Sequence, residues 1–435
     1  MSTTPAGPPE RAGGSGAQYL SELLRVPVND RGGEHIGRLS DIIVRLRGAE
    51  LPLVTGLVAT VGGRSVFVPI EQVSGLDSRE LRLTSAKLDL RRFERRDGEV
   101  LLRADVLGHR LIDVQSAHLI RAGDLELHQQ DGGWVVTGVD SRRQAHRLFG
   151  HRAAEPRQHV FREWSRFEPL IGHAGSALSR YPVGRIRRLK PAQIADLLED
   201  ASKDEESEIL GHVHADPELE ADVFEELDED LANRLFGART DAEVAAVLER
   251  MRPDDAADAI SELPQPRRQP VLDLLPPTAR TKILTLMGFN PASAGGLMGV
   301  DFVTVPVGAT VSAAVAAVAA AGHLQPEAIT SVHAVDQEGR LRGVASLVTL
   351  VQADPYVVLT QVYDDDPVRV GADTDVVDVA VLMSDYNLIS IPVVDEQRRM
   401  IGLITVDDVL EVTLPEDWRR RESAEPPDGQ RGGPG

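Results

Sequence analysis

Three internal repeats, each with its own period, constrain this chain more than any other feature, because each period demands a different kind of fold. The first period is long. Leu24, Val28, Asp30, Ile36, Arg38 and Asp41 recur 83 residues later as Leu107, Leu111, Asp113, Leu119, Arg121 and Asp124. Leu53-Val54-Thr55-Gly56-Leu57 recurs at offset 82 as Val135-Val136-Thr137-Gly138-Val139. Around these positions lie short β-type runs such as Ile42-Ile43-Val44 and Ser65-Val66-Phe67-Val68, punctuated by Gly62-Gly63 and Gly132-Gly133. Two similar small β units in tandem are expected.

The second period is short. Met251-Arg252-Pro253, Leu263-Pro264-Gln265 and Leu275-Pro276-Pro277 follow one another at 12-residue intervals, and Leu227-Asp228-Glu229 lies 24 before the first. Each opens an amphipathic helix of about eight residues, where proline in the first turn gives up no hydrogen bond. Helices this short are unstable alone, so they must stack as a superhelix. The third period is intermediate. Val307-Gly308-Ala309 matches Val370-Gly371-Ala372 at offset 63, Ser331 to Asp336 matches Ser390 to Asp395 at offset 59, and Gly343 matches Gly402. Each copy reads strand, helix, strand, turn, strand, helix, and the two should pack against each other.

Charge divides the chain in the same way. Residues 1–190 carry 29 Lys+Arg and 22 Asp+Glu, a net of +7; the remaining 18 and 46 give the rest a net of −28. An acidic half repels phosphate backbones and attracts divalent cations, so no nucleic-acid partner is expected for it. The 435 residues contain no cysteine, which removes disulfides, thiolate zinc sites and cysteine nucleophiles. The longest apolar-rich stretch, Ala309 to Ala321, runs 13 residues, short of the ~20 that a membrane span needs. A cytoplasmic chain without a membrane span is expected. There is no P-loop, no Gly-x-Ser-x-Gly elbow and no His-Glu-x-x-His, so no enzyme is expected.

Three resemblances sharpen this reading. "VPVNDRGGEHIGRLSDIIV" and its weaker partner resemble the PRC-barrel, a small β barrel that serves as a docking module. "MRPDDAADAISELPQPRRQPVLDLLPP" resembles the N domain of MgtE-type magnesium channels, and "GFNPASAGGLMGVDFVTV" resembles that family's junction. The paired units that follow resemble CBS domains, and "LEVTLPEDW" is similar to the start of the family's connecting helix. The fold expected is therefore multidomain: an all-β PRC-barrel-like pair, an all-α helical superhelix and an α/β tandem CBS module. The boundaries expected are a disordered head (1–17), two PRC-barrel-like units (18–90 and 91–140), a basic linker (141–189), helical repeats (190–290), two CBS units (291–355 and 356–414) and a disordered tail (415–435). His146, His151, His159 and His173 in the linker have spacings that fit no single-helix metal pair.

Asp254 and Asp258 lie four apart at a helix start, so both carboxylates share one face, with Asp255 beside them. The MgtE resemblance implies that acids here face acids on the CBS pair, with magnesium between them. The matching positions are Asp395, Asp407, Asp408 and Glu411, and Gly295 would offer a carbonyl. Each has an ordinary alternative: the helix dipole favours Asp254 and Asp255, a turn suits Asp395, and Asp408 suits an N-cap. The acidic tract Asp196 to Asp230, with 16 acids against Lys203, reads as a solvated face or as diffuse ion binding. The CBS resemblance implies a second site. Thr405-Val406-Asp407-Asp408 has the Thr/Ser-x-x-Asp pattern that holds the ribose of an adenine nucleotide, whereas Ser346-Leu347-Val348-Thr349 lacks the carboxylate. The expected function is Mg2+ sensing linked to magnesium transport, with a separate membrane transporter or other protein as partner and a homodimer through the CBS pair. The alternative is an adaptor that senses ATP or AMP and docks a protein or RNA through the barrels.

Overall fold

The computed structural model describes residues 16–48, 50–84, 89–96, 98–141, 160–170, 185–322 and 324–414. The expected tail, most of the head and the four linker histidines lie outside the described residues. The chain divides into two compact units, Met1–Glu226 and Leu227–Gly435.

The first unit begins with β1 (Gln18–Tyr19), a helical turn α1 (Leu20–Leu23), β2 (Pro27–Asn29), β3 (His35–Arg47), β4 (Glu50–Val61), β5 (Arg64–Pro69) and β6 (Leu81–Arg82). A second series follows: β7 (Glu99–Leu101), a helical turn over Leu102–Val106, β8 (Arg110–Asp113), β9 (His118–Arg121), β10 (Asp124–Gln130) and β11 (Gly133–Asp140). Two further short strands are β12 (Arg162–Glu163) and β13 (Phe167–Pro169). The main sheet runs β1-β10-β11-β4-β3-β2-β6, with β5 on β4, β7 on β3 and β12 on β11; a small sheet runs β13-β8-β9.

The two β copies are interleaved rather than placed in tandem. β1 of the first pairs with β10 of the second, and β7 of the second pairs with β3 of the first. The copies meet where β4 pairs β11 at Leu53 and Val135, which are themselves repeat equivalents. The aspartates complete the exchange. Asp41 accepts N–H bonds from Arg103 (2.8 Å) and Ala104 (3.1 Å) in the second copy's helical turn. Asp124 accepts from the Ser21 N–H (3.0 Å) and hydroxyl in the first copy's turn. Each half thus caps the other's turn, and one apolar core runs through both, from Leu23, Ile42 and Leu57 to Leu102, Leu111 and Val136. A boundary at residue 90 or 91 therefore separates no independent cores.

The same core takes in Trp164 and Phe167, from the stretch expected as a linker. Two of its arginines have a structural partner: Arg166 and Arg162 reach the fully buried Asp113 at 2.9 and 3.4 Å. Beyond it come α2 (Pro191–Asp200), α3 (Lys203–Val213) and α4 (Pro217–Glu225). Their acids are not simply a solvated face. Glu206 and Glu220 are buried, Arg187 pairs with Asp216, and Arg110 of β8 grips both Asp200 (3.1 Å) and Glu205.

The second unit opens with α5 (Glu229–Gly237), α6 (Asp241–Leu248), α7 (Pro253–Glu262), α8 (Gln265–Leu274) and α9 (Pro277–Leu286). The last three start at 253, 265 and 277, which is the 12-residue register of the proline openers. Contacts skip one helix, α5 to α7, α6 to α8 and α7 to α9, so Ala256, Ile260, Leu272 and Ile283 are buried between layers. The boundary between the two units falls inside the stretch 190–290 expected as one superhelix.

A short helix α10 (Ala294–Leu297) leads into β14 (Thr304–Pro306), α11 (Val311–Ala320), β15 (Ser331–Val335), β16 (Leu341–Ser346) and α12 (Leu347–Gln352). The second copy is β17 (Val370–Gly371), α13 (Val376–Tyr386), β18 (Ser390–Val394), β19 (Met400–Thr405) and α14 (Val406–Thr413). The sheets are β14-β15-β16 and β17-β18-β19, each with its first pair parallel and its second antiparallel. The copies exchange equivalent bonds: Leu341 N–H to the Arg398 carbonyl (2.8 Å) and Met400 N–H to the Gly339 carbonyl (3.2 Å). The Ser331 and Ser390 hydroxyls meet at 3.1 Å. Among the described residues no helix is long and apolar enough to cross a membrane.

Candidate functional site

The site lies where the start of α7 faces the start of α14. Pro253 occupies the first turn of α7, which puts Asp254 and Asp255 at the positive end of the helix dipole. On the other side Thr405 is the N-cap of α14, and Asp408 closes its capping box. The Asp408 carboxylate takes the Thr405 N–H at 2.7 Å and its hydroxyl at 2.8 Å. Asp408 is therefore the capping partner, and the N-cap expected of it falls to Thr405.

Arg252 joins the two faces. Its Nε donates to Asp255 Oδ2 at 2.6 Å and its Nη1 to Asp408 Oδ1 at 3.2 Å, while Nη2 lies 3.8 Å from Glu411 Oε2. Around this contact the carboxyls are perturbed. Burial raises Asp254, and the Asp301 charge raises it further, against the pull of Arg252 and backbone N–H groups. Asp301 itself is held by Lys282 at 2.6 Å. Asp258, although exposed on α7, is pushed up to about 6, first by desolvation and then by repulsion from Asp254, Glu229, Glu262 and Glu411. Burial also pushes Asp408 up to about 6, with Asp254 adding to the shift and the Thr405 bonds and Arg252 opposing it. These acids crowd one seam at a cost in charge repulsion.

A cavity of about 220 Å³ opens on the seam. Arg252 and Asp254 line it from α7, Thr405 and Asp408 from the second CBS-like copy, and Gly299 and Asp301 from the junction. All its carboxylate donors are oxygens, the set that suits a hard cation. Among the described residues no group of three or more His, Asp or Glu side chains converges closely enough to hold a metal by itself.

The other expected residues stand elsewhere. Asp407 is exposed on the first turn of α14. Asp395 occupies the β18–β19 turn, where it accepts from Gln397 and Arg399 N–H groups, roughly 17 Å along the strands from Thr405. Gly295 is a packing glycine: a Cβ there would lie 2.6 Å from the Phe289 ring, and its N–H bonds the Ala372 carbonyl. Sequence reasoning missed Arg252, Lys282 and Asp301. The signal for Arg252 was present in its place before Pro253-Asp254-Asp255, three residues from an acid.

Residues 189–292 match the family model of the MgtE intracellular N domain, and residues 359–414 match the CBS domain. The magnesium transporter MgtE of Thermus thermophilus is 39% identical over 162 residues, 37% of this chain and 36% of that protein. Part of the chain is homologous to part of the MgtE magnesium transporters. The Bacillus subtilis MgtE is 23% identical over 231 residues, 53% of this chain and 51% of that protein. The chain thus spans between about a third and a half of these two relatives. A crystal structure of the cytosolic domain of the Mg2+ channel MgtE in complex with ATP is 31% identical, with a TM-score of 0.49, covering 52% of this chain and 92% of that one. The MgtE-like helical region and the CBS-like copies are therefore parts of a multidomain chain with a large sheet region ahead of them. The matched families are transporter and regulatory domains rather than enzymes.

Proposed function

We propose that the chain is a Mg2+-responsive regulatory protein linked to magnesium transport, acting in the cytoplasm on a separate membrane partner. One observation carries this reading: Asp254, Asp258 and Asp408, from an MgtE-N-like helix and from the second CBS-like copy, are crowded at a seam where their carboxyls are raised. Like charges at a seam repel, and a divalent cation relieves the repulsion. Mg2+ keeps several waters and needs only one or two carboxylates, so a seam without a preformed cage suits it. With the two faces drawn together, Asp254, Asp258 and Asp408 would supply one or two carboxylates at a time to a hydrated ion, with Asp255 and Glu411 at the margin. Bound Mg2+ supplies positive charge between the two faces, and the chain's own helices report it by closing. The sheet region is read as a pair of PRC-barrel-like docking units, and the CBS-like pair as a homodimer surface.

The test is limited proteolysis and small-angle scattering across rising Mg2+, with Ca2+ and matched NaCl as controls. Compaction and protection near Gly295 with Mg2+, lost in an Asp254→Asn/Asp258→Asn double variant, is the expected result. The reading falls if salt alone reproduces the change.

A second reading rests on the cavity. Thr405 and Asp408 line it as the ribose-binding pattern would require, with Arg250 and Arg252 beside them, and the similar cytosolic domain was solved with ATP. The chain would then sense ATP or AMP. Calorimetry with each nucleotide, in wild type and in the Asp254→Asn/Asp258→Asn double variant, separates the two readings, because that variant should lose the Mg2+ response and keep nucleotide binding.

A further inference from the structure

Arg252 stands in a place where the proposed function calls for an ion. Its guanidinium bonds Asp255 on its own helix at 2.6 Å and Asp408 on α14 at 3.2 Å, and approaches Glu411 at 3.8 Å. It is partly shielded, with 22% of the side chain exposed, and Asp408 is 7% exposed. Its backbone is held ready. As the residue before Pro253 it is confined to an extended conformation, with φ −55 and ψ 141, and the bond to Asp255 fixes its side chain against the first turn of α7. A guanidinium keeps its charge at every physiological pH and offers a rigid fork of donors. The seam therefore has two parts. One, around Asp255, Asp408 and Glu411, already faces a covalently attached cation. The other, around Asp258, keeps the repulsion of Asp254, Glu229, Glu262 and Glu411, while Asp254 between the two also feels the pull of Arg252.

We infer that Arg252 is a tethered cation that closes the α7–α14 seam without metal and thereby sets how strongly the seam responds to Mg2+. The inference rests on the Mg2+ reading only for its second clause. Arg252 lowers the number of ions needed for closure, and it competes with any cation for Asp408. A chain without it should be open at low Mg2+ and show a larger response.

The test is amide hydrogen exchange on the full chain, in chelator and in millimolar Mg2+ at matched ionic strength, for wild type, Arg252→Gln and Arg252→Lys. Wild type should be protected over 253–262 and 406–413 even in chelator. Arg252→Gln should exchange there at least ~10-fold faster in chelator, the loss expected for charge-assisted hydrogen bonds, and should regain protection with Mg2+. Arg252→Lys, which keeps the charge without the fork, should fall between and guards against a folding defect in the Gln variant. Equal protection of wild type and Arg252→Gln in chelator would overturn the inference. So would a wild type that is itself open until Mg2+ is added, although that result would support the Mg2+ reading. If Arg252→Gln opens but Mg2+ does not reclose it, the tether stands and the Mg2+ reading fails.

Discussion

Asp41 offers the sharpest quantitative test of the interleaved β halves. It is 5% exposed, takes N–H bonds from Ile42 (2.8 Å), Arg103 (2.8 Å) and Ala104 (3.1 Å), and yet is pushed up to about 6 because burial outweighs those donors. The gap from the ordinary carboxyl value of 3.8 corresponds to roughly 3 kcal/mol between the two protonation states. A raised folded value means that the native state binds the proton more tightly than the unfolded chain. The group's stabilisation is fully present below 3.8 and is lost as pH rises through 6. Linkage gives about 1.4 kcal/mol of added stability between pH 7.5 and pH 5. Asp41→Asn should be insensitive to this change, because its carboxamide resembles the protonated acid. Urea unfolding can be followed by Trp134 and Trp164, both in the sheet region, in a background carrying Trp418→Phe. The difference in stability between Asp41→Asn and wild type should shift by about 1.4 kcal/mol in favour of wild type on acidification. A difference that stays constant with pH would refute the assignment. Asp41→Ala should lose about 2–4 kcal/mol at either pH, since it strands N–H groups of the partner half and removes a helix cap.

Further outcomes follow from the same contacts. Protons and Mg2+ should substitute for one another at the seam: with Asp258 and Asp408 near 6, the Mg2+-induced compaction at pH 7.5 should shrink at pH 5, where the carboxyls are already neutralised. Titrating scattering at both pH values checks this, and an undiminished response at pH 5 would contradict it. Arg110→Ala should cost about 1.5–3 kcal/mol, because it frees Asp200 and Glu205 and removes the guanidinium that helps hold the Glu205 carboxyl down to about 2. Thermal unfolding should then separate the sheet from α2 and α3. Gly402→Ala should destabilise the second CBS-like copy by about 1–3 kcal/mol, because a Cβ would come within 2.3 Å of the Met298 sulfur; calorimetry with a Met298→Ala partner variant should show partial rescue.

Periodicity carried the fold a long way. Pro253 and Pro277 start helices where the 12-residue register puts them, and Ser331 and Ser390, equivalent at offset 59, meet across the paired copies. Such features are legible because local hydrophobic spacing dictates them. What escaped depends on partners distant in sequence. Asp41 and Asp124 were visible as a repeated pair, but nothing local says that each caps the other half. Trp164 and Phe167 lie in a stretch expected as a basic linker, and two of its arginines, Arg162 and Arg166, reach the buried Asp113. At the site, Asp254, Asp258 and Asp408 were named from spacing and resemblance, and the structure brings them to one seam. Asp395 and Gly295 serve a turn and a close packing contact. Arg252 was passed over because a search for ion ligands looks for acids, while its role follows from their repulsion.

The exchange between Asp41 and Asp124 also bears on symmetry. Each β half owns a helical turn that it cannot cap and an aspartate whose partner lies on the other half. A half of this kind standing alone would be complete only against a second copy of itself. The axis relating them would pass where Leu53 now meets Val135. The sheet unit therefore has the form of a two-fold pair carried on one chain. Drift in either half is limited by the need to keep fitting its twin.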